Sequence, residues 1–135
     1  MSSIVTEMNP AEPEVALLHF SNKLAFETDC WDVRETMIGE PDFVLLDVRS
    51  PALFQRGHVP GAVNLPHRKI TAEALASYPG GTVFVVYCAG PHCNGADRAA
   101  VRLSQLHRPV KIMIGGMEGW KDEGFELEVA TSIAT

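Results

Sequence analysis

Residues 82–107 read TVFVVYCAGPHCNGADRAAVRLSQLH, and this stretch decides the fold. It begins with TVFVVYC, a run of β-branched and aromatic residues that predicts a buried strand. After a loop, NGADRAAVRLSQLH places Ala100, Leu103 and Leu106 on one side of a predicted helix. A strand that passes through a loop into a helix is the unit from which α/β folds with parallel sheets are built.

The segments on either side repeat that unit. Strands are predicted at FVLLDV (43–48), AVNLP (62–66) and VKIMIGG (110–116). Five further helices are predicted. The first, PEVALLHFSNKLAFET, starts at a proline and is expected to be amphipathic. The others are CWDVRETMIG with Thr28 or Asp29 as its cap, SPALFQRG, ITAEALASYP with Thr71 as its cap, and GMEGWKDEGF. This alternation predicts an α/β fold: an open, largely parallel sheet with helices on both faces.

At 135 residues the chain has the length of one domain. We expect residues 1–13 to be a flexible lead-in and residues 14–130 to form a single domain. The net charge of −6 argues against nucleic acid and acidic membrane surfaces as partners, since both select basic proteins. An anionic small molecule remains a candidate substrate, because a site can be locally positive in an acidic protein.

The N-terminal residues, MSSIVTEMNPAEPEVALL, place no basic residue ahead of an apolar run, and no apolar stretch there has the length of a membrane span. We therefore expect a cytoplasmic protein. The three cysteines, Cys30, Cys88 and Cys93, are too few for a disulfide framework, which suits a reducing compartment. Because no CxxC or HxxxH spacing occurs, neither a metal nor a cofactor is predicted.

The loop that follows Cys88 is the predicted functional site. Ligands of open parallel sheets bind beyond the carboxyl ends of the strands, which is where this loop begins. Its N–H groups and the N-terminus of the next helix direct positive partial charge into one hollow, a field that stabilises a thiolate, a persulfide anion or the oxyanion of a sulfur or phosphorus donor. Cys88 is the predicted catalytic nucleophile, and the predicted substrate-binding residues are Ala89, Gly90, Pro91, His92, Cys93, Asn94 and Gly95.

The second cysteine of the loop, Cys93, leaves three interpretations open: a second nucleophile, a thiol that resolves Cys88, or a buried wall of the loop. Cys30 lies in a predicted helix and is expected to pack as a small apolar side chain. A cysteine-dependent phosphatase is disfavoured, because its arginine clamp follows the spacing CxxxxxR. Asn94 stands at that position after Cys88, and Ala99 stands there after Cys93.

Four motifs together resemble those of rhodanese-like domains. They are DVR at 47–49, GHVPGA at 57–62 followed by NLP at 64–66, the strand-end Cys88, and GGMEGW at 115–120. The resemblance spans about residues 40–127. In finer detail, HFSNKLAFETD and YCxGPxCNGA are similar to a bacterial single-domain subgroup related to phage-shock-type rhodaneses.

The resemblance implies the rhodanese fold and a sulfurtransferase activity. Cys88 would accept sulfane sulfur from a donor such as thiosulfate, carry it as a persulfide, and pass it to a thiophile such as cyanide or a thiol. A sulfur-carrier protein is a further candidate partner. The resemblance also implies that Asp47 and Arg49 form a supporting pair that ties loops together near the site, whereas the residues alone favour a structural ion pair. His58 is expected to be hydrogen-bonded and Trp120 to lie in the core.

The loop departs from the family pattern in charge and in length. Ala89 stands where family members often carry arginine, no arginine occurs before Arg98, and the loop is longer than usual. We therefore expect weaker attraction for dianionic thiosulfate. Two alternatives stay open: a thiol–disulfide redox module that uses Cys88 and Cys93, and a non-enzymatic domain that binds a partner. The oligomeric state is left open as well.

Overall fold

The computed structural model describes residues 1–129. Its elements in chain order are α1 (Pro13–Phe26), β1 (Glu27–Thr28), α2 (Cys30–Met37), β2 (Val44–Asp47), α3 (Pro51–Arg56), β3 (Val63–Asn64), a 3₁₀ helix (His67–Lys69), β4 (Phe84–Tyr87), α4 (Gly95–Gln105), β5 (Val110–Met113) and α5 (Gly116–Asp122). Among these described residues, no helix is both long enough and apolar enough to cross a membrane. The division into a lead-in at 1–13 and a domain at 14–130 stays a prediction, and Ala130 lies outside the described residues.

The strands form one sheet in the order β1-β5-β4-β2-β3, and every neighbouring pair runs parallel. β4 is the central strand: Val86 is paired with Leu46 of β2 on one side and with Ile112 of β5 on the other. The carboxyl end of a central strand is the usual ligand position in open parallel sheets. The predicted α/β fold with an open parallel sheet is confirmed.

Side chains of β4 alternate between two apolar clusters, one on each face of the sheet. Phe84 and Val86 belong to the cluster beneath α4, whereas Val85 and Tyr87 belong to the cluster beneath α2 and α5. The first cluster also contains Leu46, Val48, Ile70, Leu75, Ala99 and Leu103, and the second contains Cys30, Val33, Leu45, Met113, Met117 and Trp120. Helices therefore cover both faces of the sheet, as predicted, and both Trp120 and Cys30 lie in the core.

Helix α1 forms as predicted, with Pro13 in its first turn, but it has no buried face. Its large apolar side chains are 60–72% exposed: Val15, Leu17, Leu18, Phe20, Leu24 and Phe26. The prediction of an amphipathic helix is wrong, because these positions are spread around the helix instead of recurring on one side.

Residues 70–79, ITAEALASYP, form turns instead of the predicted helix. Thr71 makes the predicted cap, since its Oγ1 accepts a hydrogen bond from the N–H of Ala74 at 3.1 Å. Leu75 is fully buried, but most of its neighbours are exposed, so the segment has too little apolar contact to stabilise a short helix.

Strand β1 is a further difference from the sequence prediction. It contains two residues, too few for an alternating pattern, and it exists because Glu27 and Thr28 pair with Ile112 and Met113 of β5. A strand of this length is formed by its neighbour and not by its own sequence.

Candidate active site

Cys88 is the first residue after β4, so the central strand delivers its thiol to the carboxyl edge of the sheet. It is 7% exposed, while Cys93 on the same loop is half-buried, and both are free thiols. Strand β2 ends at the same edge, where Asp47 is in register with Tyr87. Parallel pairing thus brings the predicted nucleophile close to the predicted supporting residues, and Arg49 borders the same cavity as Cys88.

The first turn of α5 holds the loop in place. The N–H of Met117 donates to the carbonyl of Cys88 at 3.0 Å, and the N–H of Glu118 donates to the carbonyl of Ala89 at 2.8 Å. Gly116 permits this close approach, because its φ is +57° and a Cβ there would come within 2.5 Å of the Cys88 oxygen. The carbonyls at the start of the loop are therefore engaged by α5.

The two loop thiols meet beside Gly95, the first residue of α4. A Cβ on Gly95 would lie 2.7 Å from Cys88 Sγ and 3.5 Å from Cys93 Sγ, so a residue without a side chain lets both sulfur atoms approach the helix N-terminus. Each thiol lies near the other, and the backbone N–H groups of Ala89 and Gly95 act on the pKa of both sulfur atoms. Converging N–H groups of this kind stabilise an anion.

Burial and hydrogen bonding separate the two thiols in acidity. Burial, followed by the hydrogen bond with Cys93, raises the pKa of Cys88 to about 11. Burial also acts to raise the pKa of Cys93, but the hydrogen bond from Cys88 and the N–H groups of Gly95 and Ala89 outweigh it and hold this pKa below its ordinary value of 9.0. The pair titrates as one unit, and its first negative charge is favoured on Cys93.

A cavity of about 440 Å³ opens over the thiols and has a basic wall. The loop side of this cavity is formed by Cys88, Ala89, Cys93, Asn94 and Gly95, and the facing side includes Arg49, His67, Arg68 and Lys69. Burial lowers the pKa of His67, and the positive charges of Arg68, Arg98 and Arg102 lower it further. The mouth of the cavity therefore lies in a positive field, although the protein as a whole is acidic.

Sequence reasoning missed the basic wall, the 3₁₀ helix His67–Lys69. A signal was present, because three consecutive basic residues follow the predicted strand AVNLP at the edge of the sheet where ligands bind. The sequence alone did not connect these basic residues with Cys88, because about twenty residues separate them along the chain. Pairing of β3 with β2, and of β2 with β4, brings the segment to the thiols.

A second cavity, of about 410 Å³, also reaches both thiols. Its loop side includes Gly90 and Pro91, and the rest is formed by Glu27, Ala96, Asp97, Ile112, Met113, Ile114, Gly115 and Gly116. The pair of cysteines is thus bordered by a basic cavity and by a cavity that carries two carboxylates.

His92 is the predicted loop residue that lies apart from these cavities. Its Nδ1 is 3.0 Å from Glu118 Oε2, and both side chains are exposed. Gly90 packs against the same carboxylate, since a Cβ on Gly90 would contact Glu118 Oε2. The structure therefore gathers Ala89, Gly90, Pro91, Cys93, Asn94 and Gly95 around Cys88 and directs His92 to α5. Contact between these residues and a substrate stays a prediction.

Asp47 and Arg49 form a buried, bidentate ion pair. Arg49 Nε donates to Asp47 Oδ1 at 3.0 Å, and Arg49 Nη2 donates to Asp47 Oδ2 at 2.7 Å. Asp47, at 0% exposure, also accepts the hydroxyl of Tyr87 at 2.6 Å. Arg49 Nη2 donates to the carbonyl of Gly57 at 2.7 Å, and the Tyr87 hydroxyl accepts the N–H of Val59 at 3.1 Å. This network connects the ends of β2 and β4 to the segment that precedes β3.

The histidines and carboxylates elsewhere in residues 1–129 do not assemble a metal site: no group of three or more His, Cys, Asp or Glu side chains in this part of the chain is placed to hold an ion. His58 is hydrogen-bonded, as expected. Its Nδ1 lies 2.8 Å from the carbonyl oxygen of Phe54, and its ring stacks on the Phe54 ring with centroids 3.6 Å apart.

The chain is similar to known proteins in sequence and in fold. A family model described as "Rhodanese-like domain" matches residues 32–123. The chain is 34% identical over 87 residues to the HTH-type transcriptional regulator Rv0324 of Mycobacterium tuberculosis, a match that covers 64% of this chain and 38% of the regulator, so the chain spans well under half of that protein.

Solved structures with the same fold include the BH2092 protein of Bacillus halodurans. It is 35% identical, has a TM-score of 0.84, and the match covers 87% of each chain. The thiosulfate sulfurtransferase of Pseudomonas aeruginosa shares the fold at 21% identity and a TM-score of 0.63, with 81% of this chain and 21% of that chain covered.

Proposed function

Because the chain belongs to the rhodanese-like domain family, we propose that it is a sulfurtransferase whose Cys88 carries sulfane sulfur as a persulfide. The donor is an anionic sulfur compound such as thiosulfate. The acceptor is a thiophile, namely cyanide, a small thiol, or a thiol on a sulfur-carrier protein.

The proposed reaction has two displacement steps at sulfur. The Cys88 thiolate attacks the sulfane sulfur of thiosulfate, the S–S bond of thiosulfate breaks, and sulfite leaves with the electron pair. The persulfide on Cys88 is then attacked at its outer sulfur by the acceptor, which gives thiocyanate when the acceptor is cyanide and returns Cys88 as a thiolate. Backbone N–H groups aimed at the sulfur stabilise the anion present in each state.

One observation carries this proposal: Cys88 lies at the carboxyl end of the central strand, with its sulfur against Gly95 at the N-terminus of α4. The basic wall supports an anionic donor, because His67, Arg68 and Lys69 face the thiols across the cavity. Family members often carry an arginine directly after the catalytic cysteine, and this loop has Ala89 there. The segment His67–Lys69 offsets that difference, because it supplies positive charge from the other side of the cavity.

The test compares Cys88→Ser with Cys30→Ser in the transfer of sulfur from thiosulfate to cyanide. We expect Cys88→Ser to reduce thiocyanate formation to background, since a serine hydroxyl forms no persulfide. Cys30→Ser is a matched control, because Cys30 is a buried thiol of the core that donates to the carbonyls of Ile114 and Gly116, bonds that a hydroxyl can also make. Equal activity of Cys88→Ser and the wild type would refute the assignment.

A further inference from the structure

We propose that Cys93 is a resolving thiol: it attacks the persulfide on Cys88, releases the carried sulfur as sulfide, and leaves a disulfide between Cys88 and Cys93. The inference rests on the proposed function, because it starts from the Cys88 persulfide. It adds an activity in which the acceptor is part of the protein and the product is free sulfide.

The geometry of the loop places Cys93 in position for this attack. A turn closed by the hydrogen bond from the N–H of Cys93 to the carbonyl of Gly90, at 3.0 Å, folds the loop back towards Cys88. Both sulfur atoms then lie against the space that a side chain of Gly95 would fill, at 2.7 and 3.5 Å from the position of its Cβ. A sulfur atom attached to Cys88 Sγ is therefore formed next to a second thiol.

The charges around Cys93 favour its reactive form. The nearby N–H groups of Gly95 and Ala89 help to hold its pKa below the ordinary value. The thiolate is the form of cysteine that attacks a disulfide or persulfide, so Cys93 is the thiol of the pair that is prepared to react. Cys93 also borders both cavities, which gives the released sulfide a path to solvent.

The step balances without an added oxidant. The Cys93 thiolate attacks Cys88 Sγ, a bond forms between the two Sγ atoms, and the bond from Cys88 Sγ to the outer sulfur breaks. The outer sulfur leaves with that electron pair as hydrosulfide. The sulfane sulfur is thereby reduced to sulfide, and the two cysteines are oxidised to one disulfide. An external dithiol, or two molecules of a monothiol, then reduces the disulfide and is itself oxidised.

The test is a single turnover in the absence of any external thiol. Reduced wild-type chain and Cys93→Ser are each incubated with thiosulfate, and the released sulfide and the intact mass are measured. We expect the wild type to release one sulfide per chain and to lose two hydrogens from its mass. Cys93→Ser is expected to gain one sulfur atom, located on Cys88 by peptide mapping, and to release sulfide only when a thiol is added. Cys93→Ala provides a second variant if the serine variant folds poorly.

The outcomes separate this inference from the function on which it rests. If the wild type retains the added sulfur as stably as the Cys93 variants do, the resolving role of Cys93 is overturned while the sulfurtransferase proposal stands. If the wild type neither gains sulfur from thiosulfate nor releases sulfide, the persulfide itself is not formed and the proposed function fails.

Discussion

At the scale of single residues, the chemistry depends on how Cys88 and Cys93 share a proton. Cys88 is the more buried thiol and its pKa is raised, while the pKa of Cys93 is lowered by Cys88 and by the N–H groups of Gly95 and Ala89. Because the hydrogen bond couples the two thiols, protonation belongs to the pair. The first negative charge of the pair is therefore favoured on Cys93, the more exposed cysteine.

This arrangement predicts the order in which the thiols react with iodoacetamide. Labelling of Cys93 is expected to precede that of Cys88, and its rate should rise with pH through a midpoint below 9.0, because a lowered pKa populates the thiolate at lower pH. The measurement is peptide mass spectrometry after brief labelling between neutral and alkaline pH. In Cys93→Ser, Cys88 is expected to label with a midpoint at higher pH. Preferential labelling of Cys88 in the wild type would contradict the expectation that the first negative charge of the pair lies on Cys93.

At the scale of elements, the 3₁₀ helix His67–Lys69 supplies positive charge to the wall of the cavity above the thiols. The loop itself carries no lysine or arginine between Cys88 and Gly95, yet the cavity above it has a positive wall. The lowered pKa of His67, caused by burial and then by Arg68, Arg98 and Arg102, reports the same field. The 3₁₀ helix thus gives an acidic protein a cavity with a positive wall, which suits the anionic sulfur donor that we propose.

We expect the double variant Arg68→Ala/Lys69→Ala to raise KM for thiosulfate about tenfold, equivalent to ~1.4 kcal/mol, with little change in kcat. The reason is that these exposed charges attract the donor without contacting the reacting sulfur atoms. The difference from wild type should shrink as ionic strength rises, because salt screens exposed charges. Lys121→Ala, an exposed lysine of α5, serves as the control. An unchanged KM at low ionic strength would exclude this role.

At the scale of the whole molecule, the site depends on the network that joins the strand ends. Asp47 at the end of β2 binds Arg49 and the Tyr87 hydroxyl, and these two groups continue to Gly57 and Val59. Because Cys88 directly follows Tyr87, the same network that secures the sheet edge also positions the proposed nucleophile. A buried charged pair of this kind is costly to break, since one charge is then left without its partner.

Asp47→Asn is expected to lower the free energy of unfolding by about 3–5 kcal/mol, because it leaves the Arg49 guanidinium buried and unpaired. Urea denaturation followed by circular dichroism measures this change. Asp42→Asn removes an exposed carboxylate and should change stability by less than about 0.5 kcal/mol. A loss below about 1 kcal/mol for Asp47→Asn would mean that the pair does not hold the strand ends together.

The sequence by itself determined the fold class and placed Cys88, the proposed nucleophile, at the end of a strand. Strong local patterns were sufficient: FVVY (84–87) is a buried strand because its side chains fit both faces of a sheet, and Cys88 follows it directly. Helix α4 and the cap of α2, in which Asp29 accepts the N–H of Asp32 at 2.8 Å, were predictable for the same reason. Each of these features depends on residues that are neighbours in the chain.

Only the tertiary structure decided the features that join distant segments. Strand β1 exists because β5 pairs with it. ITAEALASYP forms turns because too few of its side chains are buried against the core. The apolar residues of α1 remain exposed because no part of the described structure covers them. The basic wall reaches the thiols through the pairing of β3, β2 and β4. The acidity of Cys93 likewise arises from Cys88, Ala89 and Gly95, which converge on its sulfur only in the folded loop. Local sequence patterns do not predict such contacts, because burial and electrostatic fields depend on residues that are far apart in sequence.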